Sequence, residues 1–115
     1  LHVTANGGIA APGPAYVVAT TMTLTPPAGR YVAIFSCSAT PDAANTLTTA
    51  LGAAGVAVTD TDTPVGGATE VATEKALATQ AYVDSAAGAT AIQGLWKASA
   101  GGAMTFRRLT LYPVL

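Results

Sequence analysis

The stretch Arg30-Tyr-Val-Ala-Ile-Phe-Ser-Cys-Ser38 decides the fold class of this chain. Side chains of a β-strand alternate between the two faces of a sheet, so Tyr31 and Phe35 share one face while Val32 and Ile34 share the other. Both faces therefore carry apolar bulk. We expect a strand that is covered on both sides, by a second sheet and by either a neighbouring subunit or a loop.

A second strand is predicted near the C-terminus, where the alternation is stronger. One face carries Phe106, Arg108, Thr110 and Tyr112, and the other carries Arg107, Leu109 and Leu111. The two adjacent arginines point to opposite faces, so they cannot form one basic patch. We expect one of them to face solvent and the other to make an ion pair or a subunit contact.

Turn residues divide the rest of the chain into short pieces. The segment Gly52-Ala-Ala-Gly55 lies between residues 45–51 and 56–61 and predicts a hairpin, because its glycines tolerate positive φ. Further short strands are expected at 16–19, 22–25 and 91–98, and a loop at 63–67. Val, Ile and Thr, which favour strands, occupy 31 positions. The pattern predicts an all-β, antiparallel sandwich or jelly roll of about eight short strands.

The segment from Glu70 to Ala87 fits two structures. Its many alanines and the spacing of Val71, Ala78 and Tyr82 are compatible with a helix. Its residues 76–83 also alternate passably as a strand, and the surrounding elements are β. We favour the strand, because alanine favours helix only where tertiary pairing does not intervene.

Composition and charge exclude several classes of function. Six acidic and five basic residues give a formal net charge of −1, and 10% of the residues are charged. Neither a nucleic-acid footprint nor a polybasic membrane patch is present. The longest purely apolar runs, 15–19 and 31–35, are far shorter than the roughly 20 residues of a membrane span. We therefore expect no nucleic-acid partner and no membrane.

The material for a core is limited. Of the 50% apolar residues, 26 are Ala, and Leu, Val, Ile and Phe together number 24 in 115 residues. A domain of this size buries only about two-thirds of its extended surface, so we expect support from a partner subunit. Residues 6–14 are rich in Gly and Pro, and we expect 1–15 to form an extended arm or linker before a domain at 16–115.

Three segments resemble a known family. Residues Met22 to Ala39 resemble the opening strand of small jelly-roll domains in bacteriophage virion proteins, which are related in fold to the tumour-necrosis-factor and complement globular-head trimers. Residues 87–97 and 106–112 are similar to the closing strands of that family. The resemblance covers 16–114 and implies a homotrimer in which one sheet of each subunit packs around a three-fold axis. Residues 78–84 are also similar to a segment of phage tail-fibre proteins that is often helical.

Candidate contact residues follow from the aromatic and arm positions. We expect the aromatic residues Tyr31, Phe35, Trp96, Phe106 and Tyr112 to lie at the subunit or partner interface. Contacts of the arm are expected from Val3, Ile9 and Pro12. Trp96 and Tyr112 could instead stack on a sugar, although core or interface packing fits the small aromatic content better.

No residue pattern indicates catalysis or a cofactor. Cys37 has no basic neighbour in the sequence, so we expect an inert core thiol and not a nucleophile. Asp60 and Asp62 could begin a Ca²⁺ site, but such a site needs six to eight oxygens and a solvated loop is favoured. Because the chain has one cysteine, an internal disulfide is impossible. We expect neither enzymatic activity nor a bound metal or cofactor.

Two functions of different classes remain. The first is a structural component of the virion, a trimer that decorates or cements the capsid or forms part of a head fibre, with the major capsid protein or other virion proteins as partners. The second is the tip of a tail fibre that binds a host glycan or receptor, for which Trp96, Tyr82 and the loop 60–63 are candidates. An immunoglobulin-like adhesion domain fits less well, because the paired cysteines are missing.

Overall fold

The computed structural model describes residues 1–10, 12–41, 46–59, 61–66, 74–86, 90–99 and 101–115. Strands make up 72% of this described part, and none of it is helical. In chain order the strands are β1 (His2–Ala5), β2 (Ile9–Ala10), β3 (Val17–Leu24), β4 (Gly29–Pro41), β5 (Thr46–Ala53), β6 (Val56–Ala57), β7 (Thr63–Gly66), β8 (Lys75–Ser85), β9 (Ile92–Ala98) and β10 (Gly102–Pro113).

The strands form two antiparallel sheets. Sheet I has the order β1-β10-β4-β8, and β2 pairs with the same edge of β10 as β1 does. Sheet II has the order β3-β9-β5, and both β6 and β7 pair with β5. The two sheets pack face to face around one core, with a radius of gyration of 13.7 Å. The predicted all-β antiparallel sandwich is confirmed.

The core lies between the alternating inner faces of the two sheets. On β4 the odd-numbered side chains from Tyr31 to Ala39 are buried, and the even-numbered ones are half-buried. On β10 Arg107, Leu109 and Leu111 are buried while their neighbours are more exposed, as the alternation predicted. Phe35 sits directly over Gly94 of β9, where an added Cβ would lie 2.6 Å from two ring carbons. Glycine at this position lets the two sheets approach.

The predicted hairpin is confirmed, with a shorter turn. Gly52 pairs with Ala57 and Ala53 pairs with Val56, which leaves Ala54 and Gly55 as a two-residue turn. Both turn residues have positive φ, 52° and 82°, as tight hairpins between twisted strands require. Gly52 therefore belongs to the strand and not to the turn.

Two short strands predicted before residue 26 are one irregular strand. β3 runs through both segments, and its pairing with β9 shifts register between Val18 and Thr23. Thr21 has a φ of 72°, a left-handed conformation that is uncommon for a β-branched residue. A bulge therefore joins the two segments that the sequence pattern separated.

The ambiguous segment before residue 87 is a strand in its described part. β8 pairs with β4 over eleven consecutive positions, from Lys75 opposite Ala39 to Ser85 opposite Gly29. The helix suggested by the tail-fibre similarity is therefore wrong for 75–85, because pairing with the long strand β4 outweighs the helix preference of alanine. Residues 70–73 and 87 lie outside the described part. The expected loop 63–67 contains β7, which pairs with β5.

The N-terminal segment is part of sheet I. β1 pairs with residues 107–110 and β2 with 103–104, both along the edge of β10. The expectation of an arm without regular structure at 6–14 is corrected at Ile9 and Ala10, which form a short strand. Glycine and proline content did not reveal this, because an edge strand is held largely by backbone hydrogen bonds.

Candidate interaction surface

The surface of sheet I that points away from sheet II is the candidate interaction surface, and we call it the open face. It consists of the even-numbered side chains of β4 and β8, those of β10 from Phe106 onward, and His2 and Thr4 of β1. The pairing registers align these residues in rows across the sheet. None of the rows is covered by another described strand.

Aromatic side chains project from the open face. Tyr82 is 67% exposed, Tyr112 55% and Phe106 40%. Tyr112, Val32 and Tyr82 stand opposite one another on three neighbouring strands and form one apolar row. An exposed apolar group of this kind on a soluble domain marks an interaction site more often than an isolated exposed residue does.

The other half of the open face is lined by small side chains. The row that starts at Arg108 continues through Ser36 and Ala78. Ser36, Ser38, Ala76 and Ala78, together with the Phe106 ring, border a shallow depression of about 290 Å³. A second depression, of about 400 Å³, lies beside Val32 and Tyr82. Each half of the face thus combines a projecting aromatic ring with a shallow depression.

Charge on the open face is sparse. At its far end the Arg30 Nε donates to Asp84 Oδ1 at 2.8 Å, and a second guanidinium nitrogen donates to Oδ2 at 3.2 Å. The hydrogen bonds from Arg30 lower the pKa of Asp84, and the bonded carboxylate raises the pKa of Arg30. Arg108 is exposed near the middle of the face, where it has no hydrogen bond or ion pair with a described residue.

The outer surface of sheet II carries a cluster of polar side chains. The Tyr16 hydroxyl donates to Asp62 Oδ1 at 2.5 Å, and Lys97 Nζ lies 4.4 Å from the centre of the Tyr16 ring. Burial and the Asp62 carboxylate raise the pKa of Tyr16. Asp62 is therefore engaged by a tyrosine. Asp60, its partner in the suggested Ca²⁺ site, lies outside the described residues.

Three of the five predicted interface aromatics lie in the core. Tyr31 is 8% exposed, Phe35 1% and Trp96 2%, and the Tyr31 hydroxyl donates to the Pro27 carbonyl at 2.9 Å. Their strands turn these side chains toward the opposite sheet, and the interface role expected for these three stays a prediction. Phe106 and Tyr112 are exposed on the open face.

The predicted arm residues have different environments. Val3 and Ile9 are half-buried and pack against the core of the same chain. Pro12 is exposed. Contact of these residues with a neighbouring virion protein stays a prediction, and of the three only Pro12 is freely exposed for it.

Arg107 is buried, and it connects three backbone segments. Its guanidinium donates to the carbonyls of Thr20 at 2.8 Å, Gly7 at 2.5 Å and Thr105 at 3.0 Å. In place of the expected ion pair or subunit contact, Arg107 thus bonds carbonyl oxygens of its own chain among the described residues. Thr20 lies in the bulge of β3 and Thr105 in that of β10, while Gly7 lies between β1 and β2. Arg108, by contrast, faces solvent as expected of one of the pair.

Cys37 lies on the inner face of β4 and is 4% exposed. Burial raises the pKa of its thiol to about 12, so the thiol is protonated at neutral pH. A protonated, buried thiol is a poor nucleophile. The prediction of a buried core thiol fits this environment.

Searches for other kinds of site give no candidates in the described residues. No group of three or more His, Cys, Asp or Glu side chains there is arranged to hold a metal ion. No described segment forms a helix that could cross a membrane. The open face is therefore the strongest functional candidate in this part of the chain.

Comparison with known proteins adds no assignment. The sequence matches no protein-family model and no curated protein. The functional argument therefore depends on the fold and the open face.

Sequence reasoning missed part of this face. It named Tyr82 only as a receptor-contact candidate, and it did not choose between the two apolar faces of β4. Pairing of β8 with β4 would have identified this part of the face, because it brings Tyr82 beside Val32.

Proposed function

We propose that this chain is a non-enzymatic structural protein of a bacteriophage virion, a homotrimer that decorates or cements the capsid or forms part of a head fibre. The observation that carries the proposal is the open face, where three aromatic side chains project from an otherwise small and weakly charged surface. Such a face fits burial against another protein. The resemblance of three strand segments to phage jelly-roll domains indicates the kind of assembly.

The order of the strands supports a jelly roll. Without the two-residue strands β2 and β6, the remaining strands can be numbered one to eight along the chain. Sheet I then has the order 1-8-3-6, and sheet II the order 2-7-4-5. A chain that crosses between two sheets in this way forms the two interlocked Greek keys of jelly rolls, which are common in viral capsid proteins.

The composition supports assembly. Alanine dominates the apolar residues, and several buried positions of sheet I are small, including Ala33 and Ala39. A chain with so few large aliphatic side chains gains stability when a second apolar surface is buried. We propose that the open faces of three copies meet around the three-fold axis, which leaves the polar surface of sheet II outside.

The mass of the protein in solution tests the trimer. We expect light scattering to give the mass of three chains for the wild type. The double variant Tyr82→Ser, Tyr112→Ser should give one chain with an unchanged far-ultraviolet circular dichroism spectrum. Val56→Ser is the matched control, because Val56 is 70% exposed on sheet II. A wild-type monomer at every concentration would contradict the proposed trimer.

Attachment to the capsid is tested separately. The labelled chain is mixed with capsids of the encoding phage assembled without it, and bound protein is measured after sedimentation. Saturable binding is expected, and Pro12→Asp should weaken it while preserving β1 and β2. Deleting residues 1–14 is a poorer test, because it also removes two strands from sheet I. Absence of binding at any concentration would argue against a capsid protein.

A receptor-binding tail-fibre tip is the alternative, and the exposed Tyr82 and Tyr112 favour it most. Trp96 is unsuitable for stacking on a sugar because it is 2% exposed. Binding to a glycan array that Tyr82→Ser abolishes, without capsid binding, would favour this alternative.

A further inference from the structure

Arg108 on β10 and Glu74 at the edge of sheet I are two exposed charged side chains without a partner among the described residues. Arg108 is exposed on β10, and Glu74 is exposed directly before Lys75, the first residue of β8. Neither has a hydrogen bond or ion pair with a described residue. The remaining described acids are engaged: Asp84 by Arg30, and Asp62 by Tyr16.

The two groups are too far apart to meet within one chain. Arg108 stands opposite Ser36, which stands opposite Ala78, so two strand spacings separate β10 from β8 in this row. Glu74 lies four residues before Ala78. Strand spacing and rise place their Cα atoms roughly 16 Å apart. An arginine and a glutamate cannot bridge that distance with their side chains.

Burial of the open face makes the charge of Arg108 costly. Thr4, Ser36 and Ala78 lie in the same row across the sheet as Arg108. Thr4 and Ser36 have hydroxyl groups, and none of the three has a carboxylate. A guanidinium covered by an apolar partner needs a hydrogen-bonded anion, because desolvation otherwise opposes assembly. The carboxylates that the structure describes in the same chain are engaged or, for Glu74, out of reach, so within a homotrimer we look for that anion in another copy.

We propose that Arg108 of one copy forms an ion pair with Glu74 of the next copy, an inference that rests on the proposed trimer. Glu74 lies at the edge strand of sheet I and Arg108 lies near the middle of the open face. Their contact therefore places the edge of one subunit on the face of its neighbour. The two subunits contribute different surfaces to this contact. When a rotation relates each copy to the next, repeating the contact closes a ring.

A charge exchange tests the pair. The variants are Arg108→Glu, Glu74→Arg and the double variant that carries both changes. The concentration at which half of the chains are trimeric is measured by analytical ultracentrifugation. We expect each single variant to raise this concentration by about tenfold or more and the double variant to restore it. About 1 M NaCl should weaken the wild-type trimer and the double variant alike, relative to about 0.05 M.

Lys97→Glu is the control, because it makes the same change of charge on the outer surface of sheet II. Circular dichroism confirms that each variant is folded. A wild-type trimer that Arg108→Glu leaves unchanged, or that the double variant fails to restore, would overturn the ion pair and leave the proposed function standing. A wild type that is monomeric at every concentration would overturn both the ion pair and the proposed trimer.

Discussion

Gly94 determines how closely the two sheets approach. The Phe35 ring occupies the place where a side chain at this position would begin, with two ring carbons 2.6 Å from an added Cβ. A contact that short forces the ring or the β9 backbone to move. The composition gave no sign of this, because a glycine inside a strand looks like a weak strand position until its neighbour in the other sheet is known.

Replacing this glycine tests the contact. We expect Gly94→Ala to lower the free energy of unfolding by about 1–3 kcal/mol, as overpacking a core does. Urea denaturation followed by tryptophan fluorescence measures it through Trp96. Gly8→Ala is the control, because an added Cβ there meets nothing within 4 Å. Equal stability of the two variants would show that the sheets tolerate the added methyl group.

The buried Cys37 thiol makes stability depend on alkaline pH. Its pKa is raised from 9.0 to about 12 by burial, so between these values the unfolded chain loses a proton that the folded chain keeps. The stabilisation that the protonated thiol gives the folded chain is fully present below pH 9 and is lost as pH rises toward 12. We expect a loss on the order of a few kcal/mol over this range. Denaturation at several pH values should give a shallower slope for Cys37→Ala, and parallel slopes would contradict the assignment.

At the scale of elements, β10 shows what the sequence could and could not predict. Its alternation correctly predicted that Arg107, Leu109 and Leu111 share one face, and the structure shows that this face is turned inward. On β4 both faces are apolar, so the pattern could not decide that Tyr31 and Phe35 face the core and Val32 and Ile34 the outside. The pairing of β1 with β10 was also missed, since backbone pairing leaves little trace in the sequence.

The two arginines of β10 provide a matched comparison. Arg107→Met removes the hydrogen bonds to the carbonyls of Thr20, Gly7 and Thr105. We expect a loss of about 1.5–3 kcal/mol, because three part-buried carbonyls then lose their charged donor. Arg108→Met on the exposed face should change the stability of the monomer by about 0.5 kcal/mol or less. Both variants are measured by urea denaturation at concentrations where the chain is monomeric.

Hydrogen exchange locates the effect of the buried arginine. Gly7 lies between β1 and β2, so its bond to Arg107 holds this segment against β10. We expect faster amide exchange in residues 2–5 of Arg107→Met, while the exchange of β8 changes little. Uniformly faster exchange throughout both sheets would instead show that Arg107 supports global stability without a specific effect on the N-terminal strands.

For the whole molecule, the two outer surfaces differ in a way that connects fold and proposed function. The outside of sheet II carries Tyr16, which contacts both Asp62 and Lys97. The open face instead leaves Tyr82, Tyr112 and Arg108 exposed without such contacts. The open face thus leaves two tyrosine rings and Arg108 available to a partner, while its Arg30–Asp84 pair is satisfied within the chain. The sequence suggested a partner from its thin core, but only the strand pairing indicates which sheet would meet it.

Assembly through the open face predicts that thermal stability depends on concentration. A folded trimer unfolds to three separate chains, so dilution favours unfolding and the Tm falls. We expect the Tm of the wild type to rise by several degrees when the chain is concentrated a hundredfold or so, from about 1 µM to about 100 µM. The variant Tyr82→Ser, Tyr112→Ser should show a Tm that is independent of concentration, because it lacks two of the exposed aromatic contacts. Calorimetry at each concentration measures both, and a constant wild-type Tm would mean that the sandwich unfolds as a single chain.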